Sequence, residues 1–300
     1  MNTPTADRTY GHVTVLGGVH GGKYPYGHSL LVRGSEEQII IDPSLSLLAR
    51  TAPPAADRIL NSHCHEDHVA GNHLYPDAPC HLHEHDVAGI RSLDDFMKIY
   101  GFTNDVDTAF RRALTEQFHF VPRPDARSFR DGDVFDLGDC RVRAIHAPGH
   151  TSGHTVFHVE PDDVLYLGDI DLSSFGPYYG DASSSLLEFE ATLAMVRTMD
   201  ARAYATFHHI GVLDDREAFL ARLDRFTAVI AAREARLLAF LAEPRTLADV
   251  VAHRFIYRPG DDLDFIDDVE HRSMSQHLSR LAAADRVEEI EPGHFICRAA

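Results

Sequence analysis

The stretch NSHCHEDHVAG, residues 61–71, gathers His63, His65, Asp67 and His68 within six positions, just beyond the strand-like residues 58–60. An extended chain sends alternate side chains to one face, so His63 and His65 project to the same side, with Asp67 and His68 following where the chain turns toward a helix. One short loop can thus serve two adjacent metal ions. Imidazoles and a carboxylate suit zinc, and the remaining ligands have to come from elsewhere in the chain. Cys64, between the two histidines, is expected to point the other way.

Outward from this loop, short apolar runs alternate with turns. Residues 12–16, 29–32 and 38–41 read as strands, the last ending in Asp42-Pro43. A second series repeats the plan: 134–137 and 140–145 lead into HAPGHTSGH at 146–154, and 155–159 and 164–167 lead into Gly168-Asp169. Residues 203–207 then run into His208-His209. His150, Asp169 and His208 or His209 therefore stand at strand ends and fit the missing ligand positions. After about residue 213 the pattern changes. Phe219, Leu223, Phe226, Ile230, Leu237 and Leu241 recur at helical spacing until Pro244. Thr246 to Asp249 has the form of a capping box for a second helix, Met274, Leu278 and Leu281 mark a third, and residues 286–296 with Gly293 suggest a hairpin. That is a winged-helix order of elements.

Composition bounds the function classes. With 300 residues, 44% of them apolar, the chain can bury a large core. No run approaches the ~18 apolar residues of a membrane helix and the start of the chain lacks a signal-peptide pattern, so the cytoplasm is the expected compartment. Cys64, Cys80, Cys140 and Cys297 lie far apart without CxxC spacing and read as reduced thiols. A net charge of -18 disfavours a nucleic-acid partner, because binding to phosphates rests on basic groups. A homo-oligomer is compatible with the sequence. The absence of a GxSxG elbow gives no sign of a serine nucleophile.

SHCHEDH with AGN behind it, then APGHTSGH, LYLGD and a late histidine, resemble the ordered motifs of the metallo-β-lactamase-fold hydrolases over about residues 10–212. The resemblance extends to the glyoxalase II-like branch. It implies an α+β four-layer αβ/βα sandwich with metals at the strand ends, in a catalytic domain spanning residues 1–213. Carried over by motif, His63, His65 and His150 would hold one metal; Asp67, His68 and the late histidine would hold the other, with Asp169 bridging. Aligning Thr206 to His209 with the Pro-Gly-His of the family puts the late ligand at His209, with His208 as the alternative. Asp42 is expected to support rather than ligate, and His154 to orient a ligand by hydrogen bonding. His146 reads as structural, and His81, His83 and His85 as solvated or supporting. Residues 214–300 resemble the winged-helix-like appendage of the relatives called β-lactamase-like protein 2. They carry 7 Arg and no Lys against 11 Asp plus Glu from residue 245 onward, which favours a packing role over DNA binding.

The resemblance implies two Zn2+ per chain, with iron or manganese as alternatives, and hydrolysis of an ester, thioester or lactone of a small-molecule acyl substrate. Asp67 would orient the attacking water and pass on its proton. Tyr178 and Tyr179, in the segment after the bridging aspartate, are candidate substrate contacts. Two competing readings share the fold: a mononuclear iron oxygenase of the persulfide dioxygenase type, and a metal-dependent nuclease.

Overall fold

The computed structural model describes residues 3–298. Seven strands form the first sheet in chain order: β1 (Arg8–Tyr10), β2 (Val13–Leu16), β3 (Ser29–Arg33), β4 (Gln38–Ile41), β5 (Arg58–Leu60), β6 (Cys80–His83) and β7 (Arg127–Phe129). Pairing is antiparallel up to β4 and parallel from β4 to β7. Strands β8 (Val134–Asp136), β9 (Arg141–His146), β10 (Thr155–Glu160), β11 (Val164–Tyr166), β12 (Ala203–Ala205) and β13 (Val212–Leu213) form the second, in which only β11 and β12 run parallel. Parallel strands bring their carboxyl ends to one edge, where ligand-bearing loops collect. Asp42 follows β4, His63 follows β5, Asp169 follows β11 and His208 follows β12.

Side-chain alternation sorts the core into layers. Leu30, Val32, Ile39, Ile41 and Leu60 face the other sheet, where they meet Val142, Phe157, Val164 and Tyr166. Their neighbours Leu31, Ile40 and Ile59 face outward onto helices α2 (Val87–Arg91), α3 (Leu93–Tyr100) and α4 (Asn104–Glu116), which follow the short α1 (Glu66–Val69). On the far side Val156, Leu165 and Tyr204 pack against α5 (Leu186–Thr198) and α6 (Arg216–Phe240). The result is a sandwich of two sheets flanked by helices.

Helix α6 starts where Asp215 accepts the backbone N–H groups of Glu217 and Ala218. Phe219, Leu223, Phe226 and Ile230 pack on the second sheet's outer layer, while Leu237, with Leu241 just beyond the helix, joins the first sheet's. Each such burial contributes about 1.5–3 kcal/mol, so this segment ties both outer layers together. Beyond it come β14 (Arg245–Thr246), α7 (Leu247–His253), α8 (Ile266–Ala283), β15 (Val287–Glu291) and β16 (His294–Cys297). Both halves of the capping box between Thr246 and Asp249 are formed, and β14, β16 and β15 make a small third sheet. Val250, Val269, Met274 and Leu278 share one hydrophobic cluster with Phe96, Ile99 and Phe110. The tail therefore has no separate core. No helix among the described residues is long and apolar enough to cross a membrane.

Candidate metal centre

The loop after β5 is locked before its histidines are placed. Asn61 donates to the His68 carbonyl at 2.9 Å and Thr155 N donates to the Ser62 carbonyl at 2.9 Å, which fastens the loop to β10. Buried Asp86 accepts from Cys64 N at 3.2 Å, Thr151 Oγ1 at 2.7 Å and Gly153 N at 2.8 Å, so one carboxylate joins this loop to the β9–β10 turn. Gly149 in that turn has φ 122°, and a Cβ there would lie 2.2 Å from Phe189 N. Only glycine fits. Gly168, at φ 53°, likewise leaves room for the His154 ring, which a Cβ would meet at 2.6 Å.

Two sets of side chains converge at the strand ends. In the first, His150 Nε2 lies 3.2 Å from His63 Nε2 and 3.0 Å from His65 Nδ1. Burial, reinforced by the neighbouring imidazoles, holds the His63 pKa well below its ordinary value, so this ring is neutral. In the second set, His208 Nε2 lies 3.0 Å and His68 Nε2 4.0 Å from the Asp67 carboxylate. Asp169 stands between them. Its Oδ2 is 3.2 Å from His150 Nε2, while its Oδ1 is 2.9 Å from His68 and 3.8 Å from His208. Burial opposes charge on His208, but Asp169 and Asp67 outweigh it and raise the pKa to about 9.

The donor set fits metal ions. His150 Nε2, at 3.2 and 3.0 Å from ring nitrogens of His63 and His65, is repelled by them unless a cation or protons lie between. Nitrogens bound at 2.0–2.1 Å to a tetrahedral zinc would sit about 3.3 Å apart. Asp67 Oδ2 is buried without an aligned hydrogen-bond donor, close as His208 is. His63, His65, His150 and Asp169 form one group able to hold an ion, and Asp67, His68 and His208 another.

A second layer orients these groups, as is usual around metal ligands. Asp42, fully buried, accepts from Ser62 N at 2.7 Å, Ser62 Oγ at 2.5 Å and Tyr166 OH at 2.8 Å, and its Oδ2 meets His68 Nδ1 at 2.8 Å. It supports and does not face the cluster. His154, kept neutral by burial with a pKa lowered to about 3, accepts from Asp169 N at 3.1 Å through Nε2.

Several expectations need correction. His208, not His209, enters the cluster. Its Nδ1 is anchored to the Gly22 carbonyl at 2.9 Å, whereas His209 turns away in the left-handed region, at φ 56°, and stays exposed on the cavity rim. Tyr179 is not at the cavity. It is buried with its hydroxyl 2.8 Å from His277 Nε2 and 3.0 Å from Arg233, facing α8 and α6. Tyr178 does line the cavity, its hydroxyl donating to Asp181 at 2.9 Å. His81 and His83 are buried rather than solvated, and His83 stacks on His146 at 4.0 Å. Cys64 points into the core beside Gly89, as expected. The basic side chains of α8 are engaged internally, Arg272 with the Gly101 carbonyl and Arg280 with Glu234 and Glu190.

Sequence reasoning missed Asp181, whose Oδ2 lies 2.9 Å from His65 Nε2. It missed Glu66 too, buried between the hydroxyls of Tyr24 and Tyr100. Only their nearness to the motifs hinted at either. Above the cluster opens a cavity of about 1050 Å³, lined by His65, Asp67, His150, Asp169 and His208 and by tail residues.

The family model described as Metallo-beta-lactamase superfamily matches residues 24–231. A metallo-beta-lactamase family protein from Thermus thermophilus superposes with TM-score 0.68 at 23% identity, over 91% of this chain and 94% of its own. A beta-lactamase domain protein from Burkholderia ambifaria gives 0.67 at 19%, over 99% and 95%. Among curated proteins, the acyl-coenzyme A thioesterase MBLAC2 of Gallus gallus is 29% identical over 156 residues, 47% of this chain and 56% of that protein. The hydroxyacylglutathione hydrolase of Maricaulis maris is 32% identical over 101 residues, 31% of this chain and 40% of that protein. The chain thus spans about half the length of the curated relatives it matches.

Proposed function

The chain belongs to the metallo-beta-lactamase superfamily, and from that premise we propose that it is a dinuclear metal hydrolase, with zinc as the resident ion, that cleaves a thioester of a small-molecule acyl group. The observation that carries this is the pair of converging donor sets sharing Asp169 on the floor of an open cavity. Relatives named as a coenzyme A thioesterase and a hydroxyacylglutathione hydrolase favour the thioester over an ester or lactone.

His63, His65 and His150 would hold one ion, Asp67, His68 and His208 the other, and Asp169 both. Bound there, two zinc ions would supply Lewis acidity and make water nucleophilic near neutral pH. Asp67 is the residue to manage the proton: Oδ2, buried and poorly paired, would accept it from the attacking water and return it to the departing thiolate, which leaves as the thiol. The overall balance is thioester plus water to carboxylic acid plus thiol. Asp42 and His154 hold His68 and Asp169 in place, and Tyr178 offers the acyl group an edge beside His150, 5.7 Å between ring centroids. Lys23, Arg222 and Arg258 line the cavity with side chains that have no hydrogen-bond or ion-pair partner among the described residues, which suits an anionic carrier on the thiol side. Residues 1–213 would carry the chemistry. Residues 214–300, winged-helix-like in element order, would cover it rather than bind DNA, since Arg272 and Arg280 are already engaged.

The test is a substrate panel on the zinc-loaded protein, with thiol release followed for acyl thioesters, proton release for aryl esters, homoserine lactones and a phosphodiester, and oxygen uptake for glutathione persulfide. At least one thioester should turn over, and Asp67→Ala should lower its rate by about 10²-fold or more. Oxygen uptake without acyl hydrolysis would select the iron oxygenase instead, and cleavage of a phosphodiester alone the nuclease.

A further inference from the structure

The cavity has a wall that none of the motifs announces. Ring contacts run unbroken from His65 out to the tail. Tyr100 stacks on His65 with centroids 5.0 Å apart, and Phe102 and Phe110 lie 5.0 and 4.8 Å from Tyr100. Phe265, just before α8, stacks on Phe102 at 5.7 Å and 17°, and Tyr257 follows at 6.2 Å. All of these line the same cavity as the donor sets. The Tyr100 hydroxyl is turned to Glu66, so its ring shows the cavity an apolar surface. At the outer end Leu263 lines the cavity while 48% exposed. An aromatic path thus begins at a residue of the reacting centre and ends on a loop of the tail.

We propose that this wall is the subsite for an unbranched apolar acyl chain, and that Phe265 and Leu263 of the tail loop set the chain length the site prefers. The inference rests on the thioesterase reading. The carrier half of a biological thioester is rich in amides and charge, whereas the acyl chain is apolar throughout and is the half joined directly to the reacting carbonyl beside His65, where the wall begins. Each methylene that leaves water for such a wall gains up to about fourfold in kcat/KM. The tail then acts in specificity without touching the reacting atoms.

The experiment measures kcat/KM for a series of acyl thioesters from acetyl to dodecanoyl, on wild type, Phe265→Ala and Leu263→Asp, the last at an exposed position where folding tolerates change. Calorimetric binding of decanoate to each protein runs beside it. Wild type should favour chains of intermediate length over acetyl by about 10²-fold or more. Both variants should cut the decanoyl-to-acetyl ratio at least about tenfold and weaken decanoate binding to a similar extent. A flat length series in wild type, or variants that leave the ratio unchanged, overturns the subsite. If no thioester turns over, the thioesterase reading fails on its own and calorimetry decides. Decanoate binding that depends on Phe265 supports the wall, and no binding to wild type removes it.

Discussion

The floor and the roof of the cavity follow opposite physical rules. On the floor, charged and polar groups are buried almost completely, and several are fixed by partners behind them: His68 by Asp42, Asp169 by His154, His208 by the Gly22 carbonyl. The roof is made of rings and aliphatic side chains on a loop, held by non-directional contacts, with Leu263 half in water. Buried polar networks are costly when any member is missing, whereas apolar contacts degrade gradually. On the proposed reading, the difference assigns reactivity and selectivity to separate parts of the chain. Losing one polar member of the floor should therefore cost more than trimming one apolar side chain of the roof.

The largest effect should come from removing the roof with everything that supports it. Ending the chain at residue 213 would leave Phe96, Ile99 and Phe110 in water, because Val250, Val269, Met274 and Leu278 belong to their cluster. The truncated protein should aggregate or bind a hydrophobic dye strongly. A monodisperse truncated protein that holds its metals would show that the two parts are independent after all.

One step down is a floor residue that touches no metal. Asp42→Ala strips His68, Ser62 and Tyr166 of their shared acceptor. Affinity at the Asp67, His68 and His208 set should fall by about 10- to 100-fold in a competition titration with a chelator. The His63, His65 and His150 set should change less. Equal loss at both would mean that the floor responds as one unit.

The smallest effect concerns the seam between tail and sandwich, where Glu234 of α6 accepts from Arg280 at 2.7 Å and meets His277 Nδ1 at 3.1 Å. Burial works against its charge, but His277 and Arg280 outweigh burial and hold the pKa below the ordinary value. A carboxylate with a depressed folded-state pKa contributes stability above its unfolded pKa, and this is lost as pH falls through the folded value. Glu234→Gln should therefore cost about 1 kcal/mol at pH 7 in urea unfolding, with the difference shrinking below about pH 4. A difference that persists at low pH would mean that packing, not charge, explains it.

The floor was the more legible part because its signals are local. Four of its donors lie within six residues, and His150 and Asp169 sit where apolar runs end. The late histidine was misplaced by one residue because the chain leaves β12 through a turn in which His209 takes a positive φ, a swing that strand-end counting does not reveal. Asp181 and Tyr179 lie in the same loop yet face opposite ways, Asp181 toward His65 and Tyr179 toward the tail. The direction of Tyr179 depends on Arg233 of α6 and His277 of α8, which lie far along the chain. For His83 the spacing leaves solvated and supporting roles open, and burial removes the first: β6 is an inner strand, and the ring is covered by His146 from the other sheet. In the tail, the long helix and the capping box could be read from spacing alone. That Phe265 reaches Phe102 could not, since 163 positions of chain separate them.

The proposed centre holds two ions on the floor, with His208 as the late donor. Elemental analysis of protein prepared without chelator tests both at once in wild type, His208→Ala and His209→Ala. Wild type and His209→Ala should each hold close to two transition-metal ions per chain, and His208→Ala one. A wild-type value of one that added zinc does not raise, or a loss in His209→Ala with two ions kept in His208→Ala, would contradict this assignment.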